Sequence, residues 1–237
     1  MNVSRRLAEP LVALEVPLRC HIVGIGGPGM SAIARLLVEM GHTVTGSDLH
    51  DSEAIDELRQ RGAEISIGHQ ESVVHGVDVV TYSTAIPSTN VELEEARRCG
   101  IPTRHRSGIL ASLCAATNAI GIAGTHGKTT TTALVTSMTT AGGLHPSSII
   151  GADVLGVTGN EYGDGSLLII ESDESDGTLD VLPLSSLVVT NIDIDHLDYF
   201  GSFEAIKECF ADATTRTYGA VVLNADDVGS SELLNAL

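Results

Sequence analysis

The chain reads as an α/β protein built from two successive parallel-sheet domains. Three observations predict this. Short apolar runs alternate with segments whose apolar residues recur at helical spacing, the pattern of parallel strands joined by helical crossovers. Two of those runs lead into glycine-rich turns, Gly24-Ile25-Gly26-Gly27-Pro28-Gly29 and Gly124-Thr125-His126-Gly127-Lys128-Thr129. Between them, at Ala115–Asn118, the alternation restarts as if from a new first strand.

In chain order, residues 1–19 are expected as a loose N-terminal arm, and Cys20–Gly24 as a buried strand. Gly29–Met40 follows as a helix, then strand Thr43–Ser47, helix Glu53–Arg61 and strand Val77–Ser83. Ser88, Thr89 and Asn90 offer caps for a helix at Val91–Cys99, and Ser107–Ala115 is helical after a short segment beyond Pro102. The second half opens with strand Ala119–Ala123 and helix Lys128–Ala141. Strands Leu167–Glu171 and Leu187–Thr190, helix Phe203–Ala213 and strand Ala220–Asn224 complete it. Residues 20–116 are thus expected as a Rossmann-like domain and 117–237 as a P-loop α/β domain.

Composition narrows the partners. With 43% apolar residues and a mean hydropathy of +0.19, the chain has the material for folded cores. No apolar run approaches the roughly 18 residues that span a bilayer, so no membrane partner is expected. The start carries Arg5, Arg6 and Arg19 without a compact apolar block, unlike a signal peptide. A net charge of −18 argues against nucleic acid, and the 3% of aromatic residues leaves little for base stacking. Cys20, Cys99, Cys114 and Cys209 lack metal-ligand spacing and read as buried thiols of a reducing cytoplasm.

The second glycine turn carries the sharper chemistry. An apolar strand runs into Gly124-Thr125-His126-Gly127-Lys128-Thr129-Thr130, where Lys-Thr opens a helix. That arrangement aims backbone N–H groups at phosphates, with Lys128 reaching the outer ones and the Thr129 hydroxyl facing Mg²⁺. Ile122 stands where the longer G-x-x-x-x-G-K-[ST] loop needs glycine, so this is the shorter G-[ST]-x-G-K-[ST] form, read as an ATP site. The first turn satisfies G-x-G-x-x-G, and Asp48 follows about 20 residues on, as a dinucleotide fingerprint requires. Such a turn also suits any other diphosphate, including that of a UDP-sugar.

Six ordered segments carry a resemblance. They are Gly24–Ser31, Gly46–Asp48, Ser83–Pro87, Gly124–Thr132, Glu171–Asp176 and Thr190–Asp198, spread over nearly the whole chain. Together they resemble the Mur ligases, and within that family the branch that joins L-alanine to UDP-N-acetylmuramate. The resemblance implies three domains, for the UDP-sugar, for ATP and for the amino acid. On this reading the chain stops within the second and lacks the third. It also implies an acyl phosphate made from the substrate carboxylate and ATP, then attacked by the amine.

Carried onto this sequence, the resemblance implies that Lys128 neutralises the γ-phosphoryl group while the N–H groups from Thr125 to Thr130 cradle the phosphates. Thr129 and Glu171 would hold Mg²⁺, with His196 on a second Mg²⁺; these last two and Lys128 are the expected catalytic residues. His126 is either a substrate contact or a spacer. Gly26, Gly27, Gly29 and Met30 would border the UDP diphosphate, with Asp48, His69, Ser83, Arg106 and Asn191 as further UDP-sugar contacts. Asp173, Glu174 and Asp176 are expected to face water. Several relatives use a carbamylated lysine after the loop histidine, but Ala211 holds that register and Lys207 is out of it. The remaining histidines, His21, His42, His50, His75, His105 and His145, are expected on surfaces or loops. Two alternatives stay open: a non-catalytic UDP-sugar and ATP-binding fragment, and an NAD-dependent oxidoreductase built on the first turn.

Overall fold

The computed structural model describes residues 9–151 and 162–236. They divide into two compact units, one built from residues 9–112 and the other from residues 113–151 and 163–236.

In the first unit, β1 (Arg19–Val23), α1 (Pro28–Glu39), β2 (Thr43–Asp48), α2 (Glu53–Gln60) and β3 (Glu64–Ile67) follow one another. A 3₁₀ turn (Glu71–Val74) leads to β4 (Val79–Tyr82), α3 (Val91–Arg98), β5 (Thr103–His105) and α4 (Arg106–Ala115). The strands form a parallel sheet in the order β3-β2-β1-β4-β5, with β1 central. Side chains alternate across a strand. Ile22 of β1 therefore shares the α1 face, whereas His21 and Val23 share the α3 face. Ile33, Leu36 and Leu37 of α1 are fully buried, each contributing about 1.5–3 kcal/mol by removal from water. On the other face Val23, Val80, Leu93 and Ala96 form a core with Val74 and Val77.

In the second unit, β6 (Asn118–Ala123), α5 (Lys128–Ala141), β7 (Ser147–Ile149), β8 (Leu167–Glu171) and β9 (Ser186–Val189) come first. α6 (Leu197–Phe200), α7 (Phe203–Arg216), β10 (Val221–Leu223) and α8 (Val228–Ala236) follow. The sheet is again parallel, in the order β10-β9-β6-β8-β7. Ile122 pairs with Glu171 and Ala123 with Val189, so three strands end side by side where β6 gives way to its loop. The hydroxyls of the threonine-rich α5 are satisfied within the helix by bonding back to carbonyls four residues earlier. Thr132 reaches the Lys128 carbonyl at 2.8 Å and Thr136 reaches that of Thr132 at 2.9 Å.

Several expectations are corrected. Residues 9–14 of the arm are tied down: Glu9 accepts the His105 N–H at 3.0 Å, Val12 N–H donates to Ser112 Oγ at 3.0 Å, and Leu14 is buried. Cys99 is exposed, because it caps α3 outside the core, whereas burial pushes the Cys20 and Cys114 thiols up to about 12. His21 and His42 are buried rather than superficial. β3, β7, α6 and α8 were not expected at all, and the short segment after Pro102 is strand β5.

Glu95 on α3 gathers Arg98 (Nε at 2.6 Å), His75 (Nε2 at 2.7 Å) and the Cys99 thiol at 3.3 Å. Hydrogen bonds from Arg98 and His75 lower its pKa from 4.5 to about 2. A carboxyl lowered on folding stabilises the fold above its unfolded pKa and loses that contribution as pH falls through the folded one. Between pH 4.5 and about 2, wild type should therefore lose stability more steeply than Glu95→Gln, as urea midpoints across that range would show.

Candidate nucleotide sites at the strand ends

The loop after β6 is held in shape by the end of β9. Gly124 has φ +131°, and a Cβ there would collide with Thr190 Oγ1 and the Asn191 backbone, so only glycine fits. Thr125 N–H donates to the Asn191 carbonyl (3.1 Å), and His126 N–H to Asn191 Oδ1 (2.9 Å). The His126 carbonyl accepts from Asn191 Nδ2 (2.9 Å) and Thr190 Oγ1 (2.7 Å). Thr125 Oγ1 accepts the Asp193 N–H at 2.9 Å. Asn191, grouped by sequence with the UDP-sugar residues, thus clasps the phosphate loop, and its amide has both ends engaged there. Thr190 and Asp193 were overlooked because backbone-directed contacts leave no residue signature.

Gly127 then turns the chain with φ +79°, and α5 begins. The first N–H to find a carbonyl four residues back is that of Thr131, bonded to Gly127 at 3.0 Å. The N–H groups of Lys128, Thr129 and Thr130 precede it, at the positive end of the helix. Thr129 Oγ1 lies 3.1 Å from both oxygens of Glu171, and the Gly151 N–H donates to Glu171 Oε2 at 2.8 Å. A hydroxyl beside a carboxylate is an all-oxygen donor pair, which suits a hard cation such as Mg²⁺.

Lys128 is almost buried, with 11% of its side chain exposed, and pairs with Glu174, which is 2% exposed, at 3.1 Å. Lys128 Nζ also donates to the Gly124 carbonyl at 2.8 Å. Burial raises the Glu174 pKa despite the nearby lysine. The expectation that the acidic run faces water fails here. Asp173 Oδ1 accepts the Ser175 N–H and Asp176 Oδ1 the Thr178 N–H, both at 2.8 Å, and the resulting turns fold Glu174 inward. Its position three residues after Glu171 was the available clue.

His196 caps α6 with φ 49° and ψ 35°, the one positive-φ residue other than glycine among the described residues. Its Nε2 is 3.8 Å from Asp195 Oδ2. Among the described residues its side chain makes no hydrogen bond or ion pair with Lys128, Thr129 or Glu171. Lys207 donates to Glu232 at 3.3 Å and lies over Phe203.

The first unit repeats the theme. Gly24 and Ile25 N–H groups both donate to the Ser47 carbonyl, and Gly26 N–H donates to Asp48 Oδ2 at 2.9 Å. Gly27 caps α1, with Pro28 opening the helix. The Arg106 guanidinium lies against Gly29, where a Cβ would meet its Nε at 2.8 Å. An anion at this helix end would be attracted by both the guanidinium and the helix N-terminus. Met30 is buried, and its N–H is taken by Gly27, so its side chain belongs to the core. His69 bonds inward to Ser47, and Ser83 follows β4 at the same sheet edge.

Two family models match the chain consecutively: Mur ligase family, catalytic domain, over residues 19–118, and Mur ligase middle domain over residues 122–237. The chain belongs to the Mur ligase family.

Among curated relatives, the UDP-N-acetylmuramate–L-alanine ligase of Bradyrhizobium diazoefficiens is 47% identical over 191 residues, covering 80% of this chain and 41% of that one. The enzyme of the same name from Laribacter hongkongensis is 46% identical, covering 90% of this chain and 46% of its own. The chain therefore spans less than half the length of these Mur ligases. A crystal structure of UDP-N-acetylmuramate–alanine ligase from Thermotoga maritima superposes with a TM-score of 0.78 at 29% identity, over 91% of this chain and 51% of that one. Among the described residues no helix is long and apolar enough to cross a membrane.

A triphosphate must displace Glu174 to reach Lys128. Glu174→Gln removes that competing charge and should tighten MgADP binding several-fold in a calorimetric titration. Weaker binding would mean that the carboxylate holds the lysine ready instead.

Proposed function

We propose that the two domains belong to an ATP-dependent ligase that joins L-alanine to the carboxylate of UDP-N-acetylmuramate in the cytoplasm. The observation that carries this reading is the joint presence of Lys128, Thr129 and Glu171 around one loop, in a chain 46% and 47% identical to enzymes of that name. The substrate carboxylate attacks the γ-phosphorus of ATP, ADP leaves, and an acyl phosphate forms. The amine of L-alanine then attacks the acyl carbon, an amide forms, and inorganic phosphate departs.

Such chemistry needs positioning and charge neutralisation more than covalent help from the protein. The N–H groups of Lys128, Thr129 and Thr130 bind phosphate oxygens, and the Lys128 ammonium offsets charge on the transferring group. Mg²⁺, held by the Thr129 hydroxyl and the Glu171 carboxylate, would add electrostatic stabilisation of the phosphates. His196 is proposed as a ligand for a second Mg²⁺. Its left-handed backbone, uncommon for a side-chain-bearing residue, supports a role beyond packing.

The UDP diphosphate is assigned to Gly26, Gly27 and Gly29 at the start of α1, where Arg106 completes the anion site. Asp48, His69 and Ser83 line the same sheet edge and are proposed to contact the nucleoside or sugar.

Lys128→Ala should abolish calorimetrically detected MgADP binding and leave the Kd for UDP-N-acetylmuramate within about twofold of wild type. Loss of both affinities in a variant with an unchanged melting temperature would contradict two separate sites.

A further inference from the structure

Beneath the first glycine turn lies a buried polar cluster that none of the steps above uses. His21 and Glu92 have no exposed side-chain surface, and they meet at 3.2 Å (Nε2 to Oε2). His21 Nδ1 is 2.8 Å from Thr45 Oγ1. Ser47 Oγ donates to Glu92 Oε2 at 2.6 Å, and the Gln70 N–H donates to Glu92 Oε1 at 3.1 Å. His69 Nδ1 is 3.0 Å from Ser47 Oγ and 3.4 Å from Glu92 Oε1, with its side chain 15% exposed.

A carboxylate this deeply buried keeps its charge only when donors surround it. Burial opposes the charge on Glu92, yet hydrogen bonds from His21, Ser47 and Gln70 bring its pKa below the ordinary value. The cluster then dictates where each proton sits. Glu92 only accepts, so the single Ser47 hydroxyl proton is committed to it. Ser47 Oγ is left as an acceptor towards His69, and the proton between them must sit on His69 Nδ1. In the neutral imidazole His69 Nε2 then carries the lone pair, and it makes no hydrogen bond among the described residues.

The strand order says which part of a ligand meets that lone pair. The glycine turn leaves β1, Asp48 ends the neighbouring β2, and His69 follows β3 beyond it. A nucleoside diphosphate with its phosphates at α1 and its ribose at Asp48 carries its base to the end of β3.

We propose that Ser47 and Glu92 fix His69 as an acceptor of a base N–H. The site thereby selects uracil, whose N3 bears a hydrogen, over cytosine, whose N3 bears a lone pair. His69 is then the specificity-determining contact, with Ser47 and Glu92 as positioning residues. This rests on the UDP-sugar reading of the first unit.

The test combines titration of the whole chain with UDP and CDP at about pH 8 with long-range ¹⁵N–¹H spectra of His69. Wild type should show the Nδ1–H tautomer and favour UDP by roughly tenfold or more. Glu92→Gln places an amide donor against Ser47, which turns the serine proton towards His69. The tautomer should switch to Nε2–H and the preference should move to CDP. Ser47→Ala, a milder change, removes the acceptor and should narrow the ratio to about threefold or less. An Nε2–H tautomer in wild type, or a UDP preference unchanged in a folded Ser47→Ala variant, overturns the proposal alone. Binding of neither nucleotide by wild type, with the Nδ1–H tautomer intact, overturns the UDP-sugar reading and the proposal with it.

Discussion

The structure depends on the close approach of backbone at Gly124. β6 emerges from the centre of its sheet directly against the end of β9, leaving no room for a Cβ between Gly124 and Thr190. The chain is therefore forced into a left-handed path that only glycine adopts at little cost. Thr190 and Asn191 convert that contact into a frame by bonding to both the N–H and the carbonyl of His126. A loop held this way presents the first turn of α5 in a fixed direction. Affinity for phosphate then needs no rearrangement of the backbone, which is what preorganisation means for a binding site.

The electrostatics follow from that frame. A chain with a net charge of −18 must offset its own repulsion locally to receive a polyphosphate. It does so with helix ends and a few cations. Exposed pairs such as Arg59–Asp51 and Arg61–Glu57 contribute about 0–1 kcal/mol each and do little for the sites. Lys128–Glu174 is different because both groups are shielded from water, so neither can be left alone cheaply. Glu174 occupies the lysine in the unliganded chain, so on the proposed reading a phosphate competes with it for the ammonium. In the first unit the Arg106 guanidinium lies against the start of α1, the place proposed for a diphosphate.

Much of this was legible in the sequence. Both glycine turns, the helices they open and the two parallel sheets were visible, because long periodic segments and special backbone positions leave strong signatures. Thr129 and Glu171, read together in the sequence, lie in hydrogen-bond contact, because a carboxylate ending an apolar strand falls beside the loop that leaves the neighbouring strand. What escaped was short or internal. Ser147–Ile149 has only three residues and no period of its own, so edge strand β7 exists because β8 offers it partners. His21 looked like a loop residue because its polarity outweighed its place in an apolar strand, and its buried partners Thr45 and Glu92, the latter 71 residues away, explain it. Glu174 was missed because burial of one member of an acidic run depends on turns made by its neighbours. The bonds from Asn191 to the loop backbone leave no mark in a residue pattern.

On the proposed reading the two turns are separate phosphate sites of different specificity. It is tested most directly by titrating the unaltered chain in a calorimeter, first with UDP-N-acetylmuramate and then, once saturated, with MgADP, using NAD as the control. Two successive stoichiometric binding events and no heat from NAD are expected. Binding of NAD with no response to the UDP-sugar would contradict it.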